Sequence, residues 1–337
     1  MEIVVFDDKL LYYRKKSTLL LRDIIKVPLG KLFSNLPSAR KIIKNGITVF
    51  VYHEVTDTPS QFSLDYGLAV STGTFRKQIN WIKKNFTIVH PEQLNSNAEL
   101  PHSAALITFD DGMLSSFENG LAILEEMNVP SLFFLNMGSV IERKPLISAI
   151  ACFMGQQSPA FKGYCSSNQI EPPYHLTLRP DVARVFFAEN SEMNDEAILA
   201  YQGKFAEIDL VMKWSTSKNV IYGNHLYEHW NAEALSDQEF MDQYIQNEHL
   251  LSNLNNSVKY FAFPNGQPGT CFTERHIMLL KRLGAERIFS SSGNINVNSE
   301  NFLLDRISFG NYDRTSGAMW FKVGLTYLKK SLHKLFS

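Results

Sequence analysis

The chain has 337 residues, 45% hydrophobic and 20% charged, which suits one large domain with an appendage. Lys and Arg total 33 against 34 Asp and Glu, a formal charge of −1, so no overall charge marks the protein for nucleic acid. Three cysteines (Cys152, Cys165, Cys271) show no metal-ligand spacing, and an odd count argues against a disulfide framework and for a reducing compartment.

The first residues, Met1-Glu-Ile-Val-Val-Phe-Asp-Asp, are unlike a signal peptide. The apolar stretches near them are too short and interrupted for a membrane span, so a cytoplasmic protein is expected. Residues 1–45 read as a helical extension and 313–337 as a basic helix or tail. Thr18–Val27 and Tyr327–Phe336 are basic and amphipathic: either helices packed on their own domain or contacts with the inner face of a membrane.

From Gly46 onward, strands and helices alternate. The predicted strands are Ile47–His53, Thr87–His90, Ala105–Phe109, Ser131–Asn136, Asn219–Gly223, Tyr260–Phe263, Arg287–Ser291 and Leu303–Ser308. Helices are predicted at Thr74–Asn85, Ser116–Met127, Asp237–Asn253 and Thr273–Leu283, with Ser236 and Glu239 forming a capping box. This order argues for βα units around a parallel sheet. Residues 139–218 exceed what such units need. They read as a largely helical insertion (runs near 145–155, 180–189 and 195–213), either a lid or a structural cap. The repeating domain then spans 46–312.

The chemistry-bearing residues sit at strand ends. Ala104–Phe109 is apolar and runs into Asp110-Asp111-Gly112. Two adjacent carboxylates at the tip of a buried strand are costly, and like charges push one pKa upward unless a cation intervenes. A divalent ion would bind one carboxylate and leave the other as a base. Gly223–His229 offers His225 and His229 four residues apart, which on a helical turn share a face and reach one ion. One carboxylate and two imidazoles leave positions for water and substrate. Taken singly, an Asp-Asp-Gly is a common turn and a His-x3-His pair a common surface or core feature. Their shared position after strand-like runs favours a site.

Thr108–Gly112 and Asn224–His229 resemble the first two motifs of the metal-dependent polysaccharide deacetylases, carbohydrate esterase family 4. The resemblance covers roughly Gly46 to Phe309. It implies a distorted (β/α) barrel of seven or eight strands, with the site at the strand C-terminal ends. It makes Asp110 the general base and Asp111, His225 and His229 the ligands of a divalent metal, zinc being the expected ion. Leu226 departs from the Ser or Thr usual in the second motif. Phe261–Gly266 is similar to the third motif, with Ala262 where the family has Arg and Asn265 where it has an aromatic residue. The resemblance implies that the Asn265 N–H binds the oxyanion, a role that a backbone donor keeps whatever its side chain. Arg306, at the end of a late strand, either replaces the missing Arg or pairs with a carboxylate at a barrel rim.

The family's late Leu-x-His motif is absent; His249, His276 and His333 do not lie at strand ends. Val51-Tyr52-His53 does, and resembles a permuted branch that includes poly-N-acetylglucosamine deacetylases and carries its acid His on the first strand. A closed barrel has no first strand in space, so His53 is either the general acid or a buried His bonded to backbone. The resemblance thus implies a hydrolase that removes an N-acetyl group from an amino sugar in a polysaccharide or its precursor. Alternatives are a deformylase or amidase using the same residues, or a degenerate barrel that binds glycans without cleaving them.

Overall fold

The computed structural model describes residues 26–36, 43, 45–95, 99–189 and 195–325. Its strands are β1 (Ile47–Tyr52), β2 (Glu54–Val55), β3 (Ala69–Val70), β4 (Thr87–Ile88), β5 (Ala104–Phe109), β6 (Ser131–Leu135), β7 (Val220–Asn224), β8 (Ser257–Ala262), β9 (Arg287–Phe289), β10 (Leu303–Leu304) and β11 (Arg306–Ser308). Eight of them lie in the order β10-β9-β8-β7-β6-β5-β1-β11, with β4 added beside β5, and every pairing is parallel. The two ends of that order, β10 and β11, are separated in sequence by Asp305 alone. The sheet is parallel, as the alternation of elements predicts, and curls into a nearly closed barrel, as the resemblance implies.

Asp305 is the seam. Its carboxylate accepts from the hydroxyls of Ser290 (2.9 Å) and Ser292 (2.8 Å) and the amides of Ser292 (2.7 Å) and Asn294 (2.9 Å). The predicted strand Leu303–Ser308 is thus two short strands broken at this residue.

Period-two alternation sorts the side chains into an inner and an outer layer. Ile47, Val49, Ala104, Leu106, Leu132, Phe134, Tyr260, Ala262, Phe289 and Leu304 form the inner cluster. Phe50, Tyr52, Ile107, Phe109, Phe133 and Tyr222 point outward against helix residues such as Phe75, Ile79 and Phe117. Helix Thr72–Asn85 starts at Ser71, whose hydroxyl accepts from Thr74, and helix Asp237–Leu251 carries the Ser236–Glu239 capping box. The segment predicted as helix Ser116–Met127 opens as a π-helical stretch, Ser116–Leu121.

The small sheet of β2 and β3, and helix Gln61–Tyr66 between them, have no counterpart among the predicted elements. Two-residue strands are too short to show alternation. Between β6 and β7 the described residues form seven helices, from Met137–Glu142 to Ile208–Trp214. Helices at 26–35 and 316–325 meet where Gly30 faces the Gly317 backbone and Phe33 lies 6.3 Å from Phe321. No described helix is long and apolar enough to cross a membrane. The basic segments expected to touch one lie outside the described residues, apart from Lys26 and Val27.

Gly223 on β7 shows how tightly the inner layer is filled. A Cβ there would lie 2.8 Å from the Phe134 ring and 2.9 Å from the Tyr260 carbonyl oxygen. Gly223→Ala is expected to cost about 1–3 kcal/mol by overpacking, read as a lowered urea midpoint with an unchanged slope.

Candidate metal centre and active site

Strand register brings the acid-base residues together. β1 and β5 pair Val51 with Thr108 and Tyr52 with Phe109, so the next residues, His53 and Asp110, emerge side by side at the strand C-terminal ends. His53 lies one residue beyond β1, and its Nε2 is 3.9 Å from Asp110 Oδ2. Across β1, Val49 pairs with Arg306 on β11. Arg306 therefore starts two inward positions lower and reaches up the barrel interior, 1% exposed, with its guanidinium 5.4 Å from the Phe134 ring. It grips Asp110 with both terminal nitrogens, Nη1 to Oδ1 at 2.6 Å and Nη2 to Oδ2 at 2.8 Å. Its Nε donates to the Ser290 carbonyl at 3.1 Å and Nη2 also to Ser291 Oγ at 3.1 Å.

Asp111 leaves the strand direction through a left-handed backbone (φ 72°), followed by Gly112 at φ 92°. That turn aims its carboxylate at the two imidazoles. His225 Nε2 is 3.4 Å and His229 Nε2 3.3 Å from Asp111 Oδ1. The histidines do not sit on a helical turn, as their spacing suggested. They belong to an irregular loop after β7, with left-handed residues at Leu226 (φ 61°) and His229 (φ 60°) that fold one imidazole back towards the other.

Three buried asparagines hold this loop. Asn136 Nδ2 donates to the carbonyls of His225 and Leu226. Asn224 Oδ1 accepts from the Leu226 amide (3.0 Å) and from Asn247 Nδ2 (2.9 Å). Asn247 Nδ2 also donates to the Leu135 carbonyl at 2.8 Å.

The ring nitrogens away from Asp111 are engaged as well. His225 Nδ1 lies 2.8 Å from the Ala262 carbonyl, which can only accept, so Nδ1 carries the proton and Nε2 presents a bare lone pair. His229 Nδ1 lies 2.9 Å from the Ser148 hydroxyl, on helix Ile147–Gln157. A lone pair of His225 thus faces a carboxylate oxygen that is buried without a protein hydrogen-bond partner. Such an arrangement suits a cation between them. Among the described residues, Asp111, His225 and His229 are the group whose ligand atoms converge in this way, within 4.8 Å of one another.

Asp110, Asp111, His53, His225, His229 and Asn265 all line one cavity of about 340 Å3. Asn265 follows Pro264 with φ 60°, and its Nδ2 is buried without a partner.

No family model matches the chain, and no curated protein sequence does. Solved structures do. IcaB from Ammonifex degensii aligns with a TM-score of 0.55 at 18% identity, over 83% of this chain and 98% of that one. The Streptococcus pyogenes deacetylase PplD in complex with acetate gives 0.54 at 13%, over 85% and 98%. A de-N-acetylase from Aggregatibacter actinomycetemcomitans gives 0.54 at 16%, over 82% and 99%. The barrel shares the fold of these three proteins.

Within that fold the electrostatics divide the two carboxylates. Burial pushes Asp110 up, but the Arg306 guanidinium and then the His225 imidazole outweigh it and hold its pKa below the ordinary carboxylate value. Burial likewise raises Asp111, and His229 with His225 brings it well below that range. Burial lowers His229 to about 4, so its imidazole is neutral near pH 7, as a ligand must be.

Ser148, Asn136 and Asn247 were not singled out in the sequence. Ser148 lies in the helical stretch 139–218, 81 residues from its partner. Asn136 ends a predicted strand, a place where Asn reads simply as a turn residue. Outer partners of metal-binding histidines set tautomer and orientation. Ser148→Ala is accordingly expected to weaken binding of added Zn2+ by about 10–100-fold with the fold intact, measured by competition with a chromophoric chelator and checked by circular dichroism.

Proposed function

We propose that this protein is a metal-dependent N-deacetylase, hydrolysing the N-acetyl group of an amino sugar in a polysaccharide or its precursor. One observation carries the reading: an ionised carboxylate fixed by Arg306 stands between an imidazole at the cavity wall and an Asp-His-His cluster that fits a cation. Asp111, His225 and His229 would hold the ion, and zinc suits them. Ligand atoms about 2.0–2.1 Å from a tetrahedral zinc are about 3.4 Å apart, close to the 3.3 and 3.4 Å separations here. A divalent ion bound there supplies Lewis acidity and a lowered pKa for attacking water.

The protein's own groups do the rest. Asp110 Oδ2 keeps a lone pair free of Arg306 and takes the proton of the attacking water. The Asn265 N–H, after Pro264, donates to the developing oxyanion. His53, on the other side of Asp110 and 20% exposed, meets the leaving nitrogen from the cavity side and protonates it. Acetate and a free amine result. Arg306 orients Asp110 and keeps it ionised, the task that the Arg missing at Ala262 would otherwise perform. A glycan-binding barrel without catalysis has no use for two adjacent buried carboxylates, which favours the enzyme.

The test pairs metal content with acetate release from N-acetylated oligosaccharides. Asp110→Asn should keep stoichiometric zinc and lose about 10²–10⁴ in kcat; His225→Ala should lose both metal and turnover. An Asp110→Asn protein as active as wild type would remove Asp110 from the base role.

Arg306→Gln separates orientation from binding. Asp110's lowered pKa means that its stabilising ionisation is fully present above the unfolded carboxylate value and is lost as pH falls through the folded one. Without the guanidinium, burial is opposed only by the imidazoles of His225 and His53. The acid limb of kcat/KM should move up in pH, and about 3–5 kcal/mol of stability should be lost at neutral pH, by pH-rate profiles and urea denaturation.

A further inference from the structure

The deacetylase reading leaves open how much of a glycan the cavity must accept, and one wall bears on that. Helix Gln61–Tyr66 stands at the edge of the cavity, with Phe62 and Tyr66 among its lining residues. It does not stand alone. Tyr66 Oη lies 2.8 Å from Cys152 Sγ on helix Ile147–Gln157, and the Tyr66 ring meets His175 edge-on at 5.4 Å. Behind this line, Gln156 Nε2 (3.2 Å) and Tyr201 Oη (3.1 Å) both donate to Asp65 Oδ2. The Phe62 and Tyr201 rings lie 5.8 Å apart.

Four helices that are distant in sequence are thereby tied into one continuous side of the cavity. Burial raises the Cys152 thiol to about 11 and pushes the Tyr66 phenol higher still, so both are neutral and their contact needs no third partner. Asn265, Gln267 and Cys271 line the same cavity. A sugar flanked by neighbours on both sides needs an exit in two directions from the reacting position. The tied wall stands beside that position, lining the same cavity as Asp110 and His53. The cavity volume, about 340 Å3, is at the small end of ligand pockets, a size that suits one pyranose and its acyl group. Phe62, Leu68 and Leu176 line the cavity too, and their apolar surface suits the C–H face of a sugar ring.

We propose that the site accepts an N-acyl amino sugar at a chain end, or a single such sugar on a carrier, and excludes one linked on both sides. The proposal rests on the deacetylase reading. The Tyr66–Cys152–His175 wall sets the specificity, and the polar rim does the chemistry.

The zinc-loaded full chain is given an N-acetylglucosamine pentamer and, separately, a simple glycoside of N-acetylglucosamine. Free amines are located by isotopic re-acetylation and mass spectrometry. The expected result is turnover of the glycoside and of one terminal residue of the pentamer, with internal residues slower by at least about tenfold. In Tyr66→Gly the internal-to-terminal ratio should rise, and in Tyr66→Phe, which keeps the ring but loses the bond to Cys152, it should rise less. Equal turnover of internal and terminal residues by the wild type overturns the end-selective site and spares the deacetylase reading. Acetate from neither probe, with stoichiometric zinc bound, overturns this proposal together with N-acetylglucosamine as the sugar.

Discussion

A guanidinium taken from water into a protein interior costs several kcal/mol even after relaxation, unless its partner is close and its remaining protons are satisfied. Arg306 meets the first condition and, for four of its five N–H groups, the second. Both terminal nitrogens bind one carboxylate, Nε meets the Ser290 carbonyl, and the Ser291 hydroxyl takes a further proton. The pair fixes where Asp110 points, and Asp110 is the reference for the rest of the site. His53 lies on one side of it, His225 on the other, and Asp111 follows it in the chain. Asp305 then has a second importance. By holding loop 290–294 it places the very groups that satisfy Arg306, so closing the barrel and orienting the carboxylate are one piece of structure.

Much of the barrel and rim was legible because it depends on short-range pattern. The apolar runs Ile47–Tyr52 and Ala104–Phe109 read as strands and place His53 and Asp110 at their C-terminal ends before any partner is known. The Asp-Asp-Gly turn stands out because two adjacent carboxylates at the tip of a buried strand are costly unless a cation intervenes. Arg306 stood as one of two readings, and register with Val49 explains how it reaches Asp110 from below.

What was not legible depends on contacts between segments far apart in sequence, or on backbone that side-chain type does not reveal. A spacing of four fits a helical turn, but the His225–His229 loop uses left-handed conformations at Leu226 and His229, neither of which is Gly or Asn. Its support comes from Asn136 and Asn247, 89 and 23 residues from the groups they hold. The one-residue break at Asp305 lay inside a single predicted strand, Leu303–Ser308. The tie between Tyr66 and Cys152, 86 residues apart, has no sequence signature at all.

Ser148 joins helix Ile147–Gln157 to one imidazole of the Asp-His-His cluster. Coupling between two events is reciprocal: whatever factor one contributes to the other is returned. If docking of that helix tightens the grip of the cluster on an ion, the ion holds the helix down by the same factor. The same helix carries Cys152, so the pocket wall and the ligand set share one moving part. Chelation would then do more than remove an ion: it would loosen the shape of the chamber, and amide exchange along 147–157 would report how full the cluster is.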